Sequence, residues 1–216
     1  LFRSPAQTVT TAAAVSYHDA VLASSPTLFW PLDDTALPAR QLGSQSSALT
    51  LTGDGAPGAA GLGGYTRSMN MAGAKQLTSG SISVFDATTT SFSMEYLVRW
   101  NTRSGFGTMW RIHGNLEHLS SGGSVTMKIG PTSYADLVPG DGLPVNADLH
   151  IAVTWDGANL RLYVNGVLKA TEAYVSTPGA MTGPLYLGSF NGAAGSGTLD
   201  GRIAGLALYK SRVLTS

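Results

Sequence analysis

Hydrolysis of a glycosidic bond needs two carboxyl groups, roughly 5–10 Å apart, one to give a proton and one to attack or to activate water. The sequence holds three glutamates, Glu95, Glu117 and Glu172, and each stands alone. Glu95 is followed by Tyr96, Leu97 and Val98, with no acid to partner it. All three read as solvated or strand-edge carboxylates. The histidines are His18, His113, His118 and His150. His113 and His118 lie five apart, but zinc needs a third ligand at a readable spacing, and no His-Glu-x-x-His occurs. They read as loop and edge histidines. A Ser-His-Asp triad is defined by geometry, yet no Gly-x-Ser-x-Gly elbow is present to nominate its serine. Sugar recognition asks for something else, an exposed ring beside polar groups. Trp110 sits in TMWRIHGN with Arg111, His113 and Asn115, and Tyr134 and Tyr174 also fall outside the best strand patterns. Trp110, His113, Asn115 and Tyr134 are therefore the candidate ligand-binding residues. For Trp110 the competing reading, an aromatic packed between two sheets, is preferred.

Composition narrows the partners. The chain has 216 residues, 13 basic and 13 acidic, and only 12% are charged. The basic residues are scattered singly from Arg3 to Arg212. A phosphate-backbone binder concentrates its basic side chains, so nucleic acid is not an expected partner. There is no cysteine, which removes disulfides and thiolate metal sites. At 43% hydrophobic the chain has ample material for a core. Its longest apolar runs, such as Leu28–Leu32 and Ile151–Trp155, are far below the roughly 20 residues that span a bilayer, so no membrane insertion is expected. The first residue is Leu, not Met, and no basic-then-apolar leader follows, so we expect a segment of a longer gene product.

The elements that must position any site read as strands and turns. Residues 1–16 are rich in Thr, Ala and Ser without a period, and are expected to form an arm or linker ahead of one domain over 17–216. Tyr17–Ser24 has a short helical spacing that Pro26 ends. Thr27–Leu32 suits a strand, and the glycines of Gly53–Tyr65 predict a long loop. Phe92–Trp100 alternates, with Phe92, Met94, Tyr96, Val98 and Trp100 on one face and only Leu97 out of pattern. His150–Trp155 and Leu160–Val164 alternate too. Asn165-Gly166 then signals a tight hairpin into Val167–Ala170. Leu185–Gly188 and Arg202–Tyr209 supply further strands, and Gly195–Asp200 between them reads as a hairpin connection, not a dinucleotide loop. Trp30, Phe92, Tyr96, Trp100, Trp155, Leu162, Val164 and Leu206 are expected to fill the space between two sheets.

Four blocks resemble one family. HIAVTWDGANLRLYVNGVLKA (His150–Ala170) is similar to the signature of laminin-G-like, concanavalin A-like jelly-roll domains. Phe92–Trp100, with Glu95, resembles a second strand of that family, and Leu185–Lys210 its closing block. Tyr17–Asp34 resembles the opening found before such domains in many bacterial and bacteriophage proteins, although Leu32-Asp33-Asp34 replaces the usual Leu-Gly-Glu. Residues 101–148 have no clear match. The resemblance implies an all-β fold, a two-sheet antiparallel jelly-roll β-sandwich, with its first and last strands side by side, so that Leu28–Leu32 should lie near Gly205–Tyr209.

It also implies functions. Hydrolases of this shape carry a Glu-x-Asp-x-x-Glu cluster, which is missing here, so no catalytic activity is expected. Related domains often hold Ca²⁺ at the sandwich rim. Asp33, Asp54 and Asp200 are the metal candidates, with Asp34, Asp141 and Asn191 in similar loops. The bacteriophage version of the resemblance implies a virion structural protein on a tail or capsid appendage. It would be held to other virion proteins by its N-terminal arm, present in many copies, and attached to host cell-surface glycans. A carbohydrate-binding module of a secreted bacterial protein and a divergent polysaccharide-degrading enzyme are the alternatives.

Overall fold

Strands with apolar residues on alternate positions need a partner layer, and here two sheets supply it to each other. The structure is a computed structural model, and it describes residues 15–45, 49–86, 88–103, 106–112, 116–121, 124–130, 134–139, 142–176, 178–180, 182–193 and 197–215. The expected arm lies outside these apart from Val15 and Ser16. Among the described residues one helix, α1 (Tyr17–Ala23), precedes the strands. These are β1 (Leu28–Trp30), β2 (Leu51–Gly53), β3 (Ala56–Ala60), β4 (Arg67–Asn70), β5 (Leu77–Ile82), β6 (Phe92–Trp100), β7 (Phe106–Ile112) and β8 (Leu116–Ser121). They continue as β9 (Ser124–Ile129), β10 (Tyr134–Leu137), β11 (Leu149–Trp155), β12 (Asn159–Val164), β13 (Val167–Ala173), β14 (Gly183–Leu187) and β15 (Gly201–Lys210).

One sheet runs β13-β12-β11-β6-β15-β4-β3, with β1 added beside β15. The other runs β10-β9-β8-β7-β14-β5-β2. All their pairings are antiparallel. The first and last strands meet as expected, Leu28 opposite Leu208 and Trp30 opposite Leu206. The unmatched middle is the antiparallel meander β7 to β10. Two expectations are corrected. Gly53–Tyr65 is not all loop, because Ala56–Ala60 pairs with β4 as an exposed edge strand, where glycine's lack of packing costs little. The connection ending at Asp200 is not a hairpin, since β14 and β15 belong to different sheets and the chain must cross between them.

All eight aromatic and aliphatic residues expected between the sheets are there. Trp30, Trp100, Trp110 and Trp155 are the largest fully buried side chains, and each such aromatic removes roughly 150–250 Å² from water. Leu97 breaks the alternation for a physical reason. It belongs to a second core on the outer face of the first sheet, with Val21, Phe29, Leu62, Tyr65 and Tyr209. That face is roofed by α1. Seven residues are too few to hold a helix alone in water. Ser16 caps it, its Oγ accepting from the Asp19 N–H at 3.1 Å, and burial of Val21 and Tyr17 against the sheet does the rest.

The Asn165-Gly166 turn has positive φ at both positions, 51° and 77°, which suits the strand twist of β12 and β13. Gly205 is a second position where glycine is required. It has φ +61°, it shifts the register of β15 against β6, and a Cβ there would lie 2.6 Å from Cε1 of Tyr17. Gly205→Ala is expected to cost at least about 1–2 kcal/mol from backbone strain alone, read as a lower urea midpoint with an unchanged slope.

Candidate functional site

Sheet geometry decides which side chains meet on the roofed face. Ala152 of β11 lies opposite Glu95 of β6 on one side and Tyr163 of β12 on the other. His150 and Thr154 flank Ala152 two residues away, so they share its face. Because Ala152 is small, the row Glu95–Ala152–Tyr163 has a depression in its middle. The wall toward α1 is formed by Tyr17 and Val21, and the wall toward the C-terminus by Leu214. The result is an open cleft of about 290 Å³. The tail is clipped there by Ser93, whose Oγ donates to the Arg212 carbonyl and accepts from the Leu214 N–H, both at 2.8 Å.

Glu95 is the hub. It is 8% exposed, in the middle of the sheet, and so is neither solvated nor at an edge as its sequence context led us to expect. The Tyr209 hydroxyl donates to Oε1 at 2.6 Å, and His150 Nε2 lies 2.8 Å from Oε2. Burial raises its pKa, but the hydrogen bonds from His150 and Tyr209 outweigh that and hold it below the usual glutamate value. Burial, together with the same carboxylate, pushes the Tyr17 and Tyr209 phenols up, so they stay protonated as donors. Tyr17 also packs edge-on against Tyr65 and His150, with ring centroids 5.9 and 5.3 Å apart. Nothing in the short motifs pointed to this cluster. The usable signal was Leu97, an apolar residue on a face that also carries Glu95, Ala152 and Tyr209.

The outer face of the other sheet carries a second network. Glu117 is 1% exposed because Arg111 covers Oε1 at 3.0 Å and the Tyr134 hydroxyl donates to Oε2 at 2.8 Å. It too is not the solvated carboxylate expected. Tyr134 sits on the edge strand β10, 49% exposed, with the Lys128 ammonium 5.4 Å from its ring centre. Beside it the Thr126 hydroxyl donates to Asp136 at 2.6 Å.

The other candidates fare differently. Trp110 is 0% exposed and stacks on His118 inside the sandwich, so its faces are closed to a sugar and the core reading holds. His113 and Asn115 lie outside the described residues, as does Asp141. Tyr174 is buried, its hydroxyl bonded to the backbone of Ile129 at 3.0 Å. His118 is no edge histidine. It is fully buried, with the Tyr96 hydroxyl 2.6 Å from Nε2 and the Met127 sulfur 3.0 Å from Nδ1. Of the metal candidates, Asp33 pairs with Arg40 at 2.9 Å. Asp54 accepts from the Gln76 N–H at 2.6 Å, and Asp200 holds Asn101 and Thr102 at 3.0 and 2.8 Å. Among the described residues no group of three or more His, Asp or Glu side chains comes together that could hold a metal ion.

A family model described as the concanavalin A-like lectin/glucanases superfamily, of laminin G type, matches residues 72–216. The chain belongs to that family. No curated protein sequence matches it. Among solved structures, the receptor-binding domain of a botulinum neurotoxin C/D mosaic superposes with a TM-score of 0.67 at 12% identity, over 89% of this chain and 49% of that one. The chain thus spans about half the length of that domain. The binding domain of botulinum neurotoxin DC solved with rat synaptotagmin II gives a TM-score of 0.65 at 11% identity, over 88% and 49%. Domain 4 of an extracellular arabinanase from Geobacillus stearothermophilus, solved with arabinotriose, gives 0.63 at 16% identity, over 86% and 92%. These likenesses concern the fold.

Two measurements follow from the site. Burial pushes the His118 pKa down to about 3. Between the unfolded value near 6.5 and about 3, the unfolded chain binds a proton that the folded one does not, so stability falls as pH drops. The unfolding free energy should decline below pH ~6.5, by up to about 1.4 kcal/mol per pH unit, before carboxylates titrate, read from denaturation curves across that range. Separately, Tyr209→Phe should lower stability by roughly 1.5–3 kcal/mol, the cost of removing one hydrogen bond to a buried charge. It should also raise the Glu95 pKa, seen by NMR titration.

Proposed function

We propose that this chain is a non-catalytic adhesion domain that recognises carbohydrate through the outer surfaces of its sandwich. The observation that carries the reading is the use made of its carboxylates. Among the described residues Glu95 is the single carboxylate that lines the cleft, and both its oxygens are bonded within the fold. Glu117 is engaged by Arg111 and Tyr134. A glycosidase needs two carboxyl groups facing one bond, one of them free to move a proton. What the outer face of the second sheet offers for contact is an exposed tyrosine with charged and hydroxyl groups around it. Membership of a lectin-containing superfamily supports the same reading.

The opening block Tyr17–Asp34 supports a further step. In our reading the domain is displayed on a bacteriophage particle, on the tail or capsid surface, tied to other virion proteins by the segment before Tyr17. Many copies would turn weak binding of host-surface glycan into firm attachment through effective concentration. The arabinanase domain favours a second reading, a carbohydrate-binding module of a secreted bacterial protein, because this chain covers 92% of it. Symmetric copies on isolated particles support display, and a monomer retained on a polysaccharide column supports the module. Release of reducing sugar from either material would overturn both.

Tyr134→Ala tests the surface directly. Loss of one stacking ring, worth about 0.5–1.5 kcal/mol, should weaken glycan-array or affinity-gel binding about two- to tenfold. The thermal midpoint should fall as well, because the lost hydroxyl donates to the buried Glu117 carboxylate, whereas Tyr134→Phe should lower the midpoint and keep the stacking contact.

A further inference from the structure

We propose that the cleft beneath α1 seats a single sugar unit of the bound glycan, with the Thr154 hydroxyl and the Glu95 carboxylate as its polar floor and Tyr163 as its ring wall. This rests on the carbohydrate-binding reading above and assigns it a place. The cleft, at about 290 Å³, is at the small end of ligand sites and fits one ring, not a chain. Its walls are mostly apolar, formed by Val21, Ala152, Leu214 and the tyrosine rings, which suits the C–H faces of a pyranose or furanose.

Two features of the floor ask for a ligand that both gives and accepts hydrogen bonds. Thr154 is 0% exposed, lines the cleft, and its Oγ1 has no hydrogen-bond partner. A buried hydroxyl left so costs on the order of 1–3 kcal/mol, which a bound hydroxyl would recover. Glu95 takes hydrogen bonds from His150 and Tyr209 and has the Tyr17 hydroxyl as a third neighbour, and its two oxygens together offer about four lone-pair sites, so room for one more donor is left. Sugar hydroxyls match such a set. A cationic ligand fits less well, because the Arg212 guanidinium is tied to the carbonyl of Ser24, one of the residues that line the cleft. The guanidinium carbon is 5.5 Å from the centre of the Tyr209 ring.

Titration of the isotope-labelled chain with arabinose, glucose, galactose, mannose and N-acetylglucosamine, each in millimolar excess, tests this by NMR. At least one sugar should move the amide signals of His150–Thr154 and of Tyr17–Val21. Ala152→Leu, which fills the depression, should abolish that response. Thr154→Val, which keeps the shape and so the fold, should weaken it about tenfold. Shifts confined to the strand of Tyr134 would overturn the cleft assignment while leaving glycan recognition standing. Shifts at the cleft with tetramethylammonium but no sugar would overturn it in favour of a cation site. No response to any sugar, with no hit on a glycan array, would remove both.

Discussion

A strand buried on both faces leaves no side for water, and β6 and β15 are such strands. Every residue of β6 except Arg99 is buried, and β15 is buried from Ile203 to Tyr209. One face is covered by the opposite sheet. The other would expose Leu97, Ala204, Ala207 and Phe29 unless something else packed there. α1, the turn around Leu62–Tyr65 and the tail at Leu214 are that cover. None of these pieces is stable alone, so the roof and the sheet depend on one another.

A charged group beneath that roof needs partners from several elements at once. Glu95 draws them from β11 through His150 and from β15 through Tyr209. Tyr17 on α1 stands close enough for the carboxylate to raise its pKa. Such an arrangement is costly to break, because removing one partner leaves a buried charge short of hydrogen bonds. It also ties the position of the helix to the register of three central strands. The cleft opens where the cover ends, over the small side chain of Ala152 and beside the ring of Tyr163.

The two outer faces therefore differ in kind. One is roofed, apolar and indented, with a carboxylate at its floor. The other is open and polar, and its acids are engaged, Glu117 by Arg111 and Tyr134 and Asp136 by Thr126. Both offer rings next to hydroxyl or charged groups, the kind of surface on which our proposal of carbohydrate recognition rests. Selectivity in such a site comes from which hydroxyls find a partner, since stacking alone discriminates little.

Much of the architecture was legible because strand patterning is local. Alternation placed Phe92, Met94, Tyr96, Val98 and Trp100 inward, and all five are in the main core. Asn165-Gly166 announced its hairpin because only residues tolerant of positive φ fit that turn. The outward positions were another matter. Glu95, His150, Thr154 and Tyr209 are separated by up to 114 residues, and no motif links them. Glu117 and His118 looked like exposed residues because charge and polarity usually mark a surface. Alternation was enough to set two layers and to say which side chains lie between them, since a period of two depends only on neighbours along the chain. The roof over the back of one layer, the burial of Glu95 beneath it and the cleft beside it follow from strand order and register, which bring distant residues together.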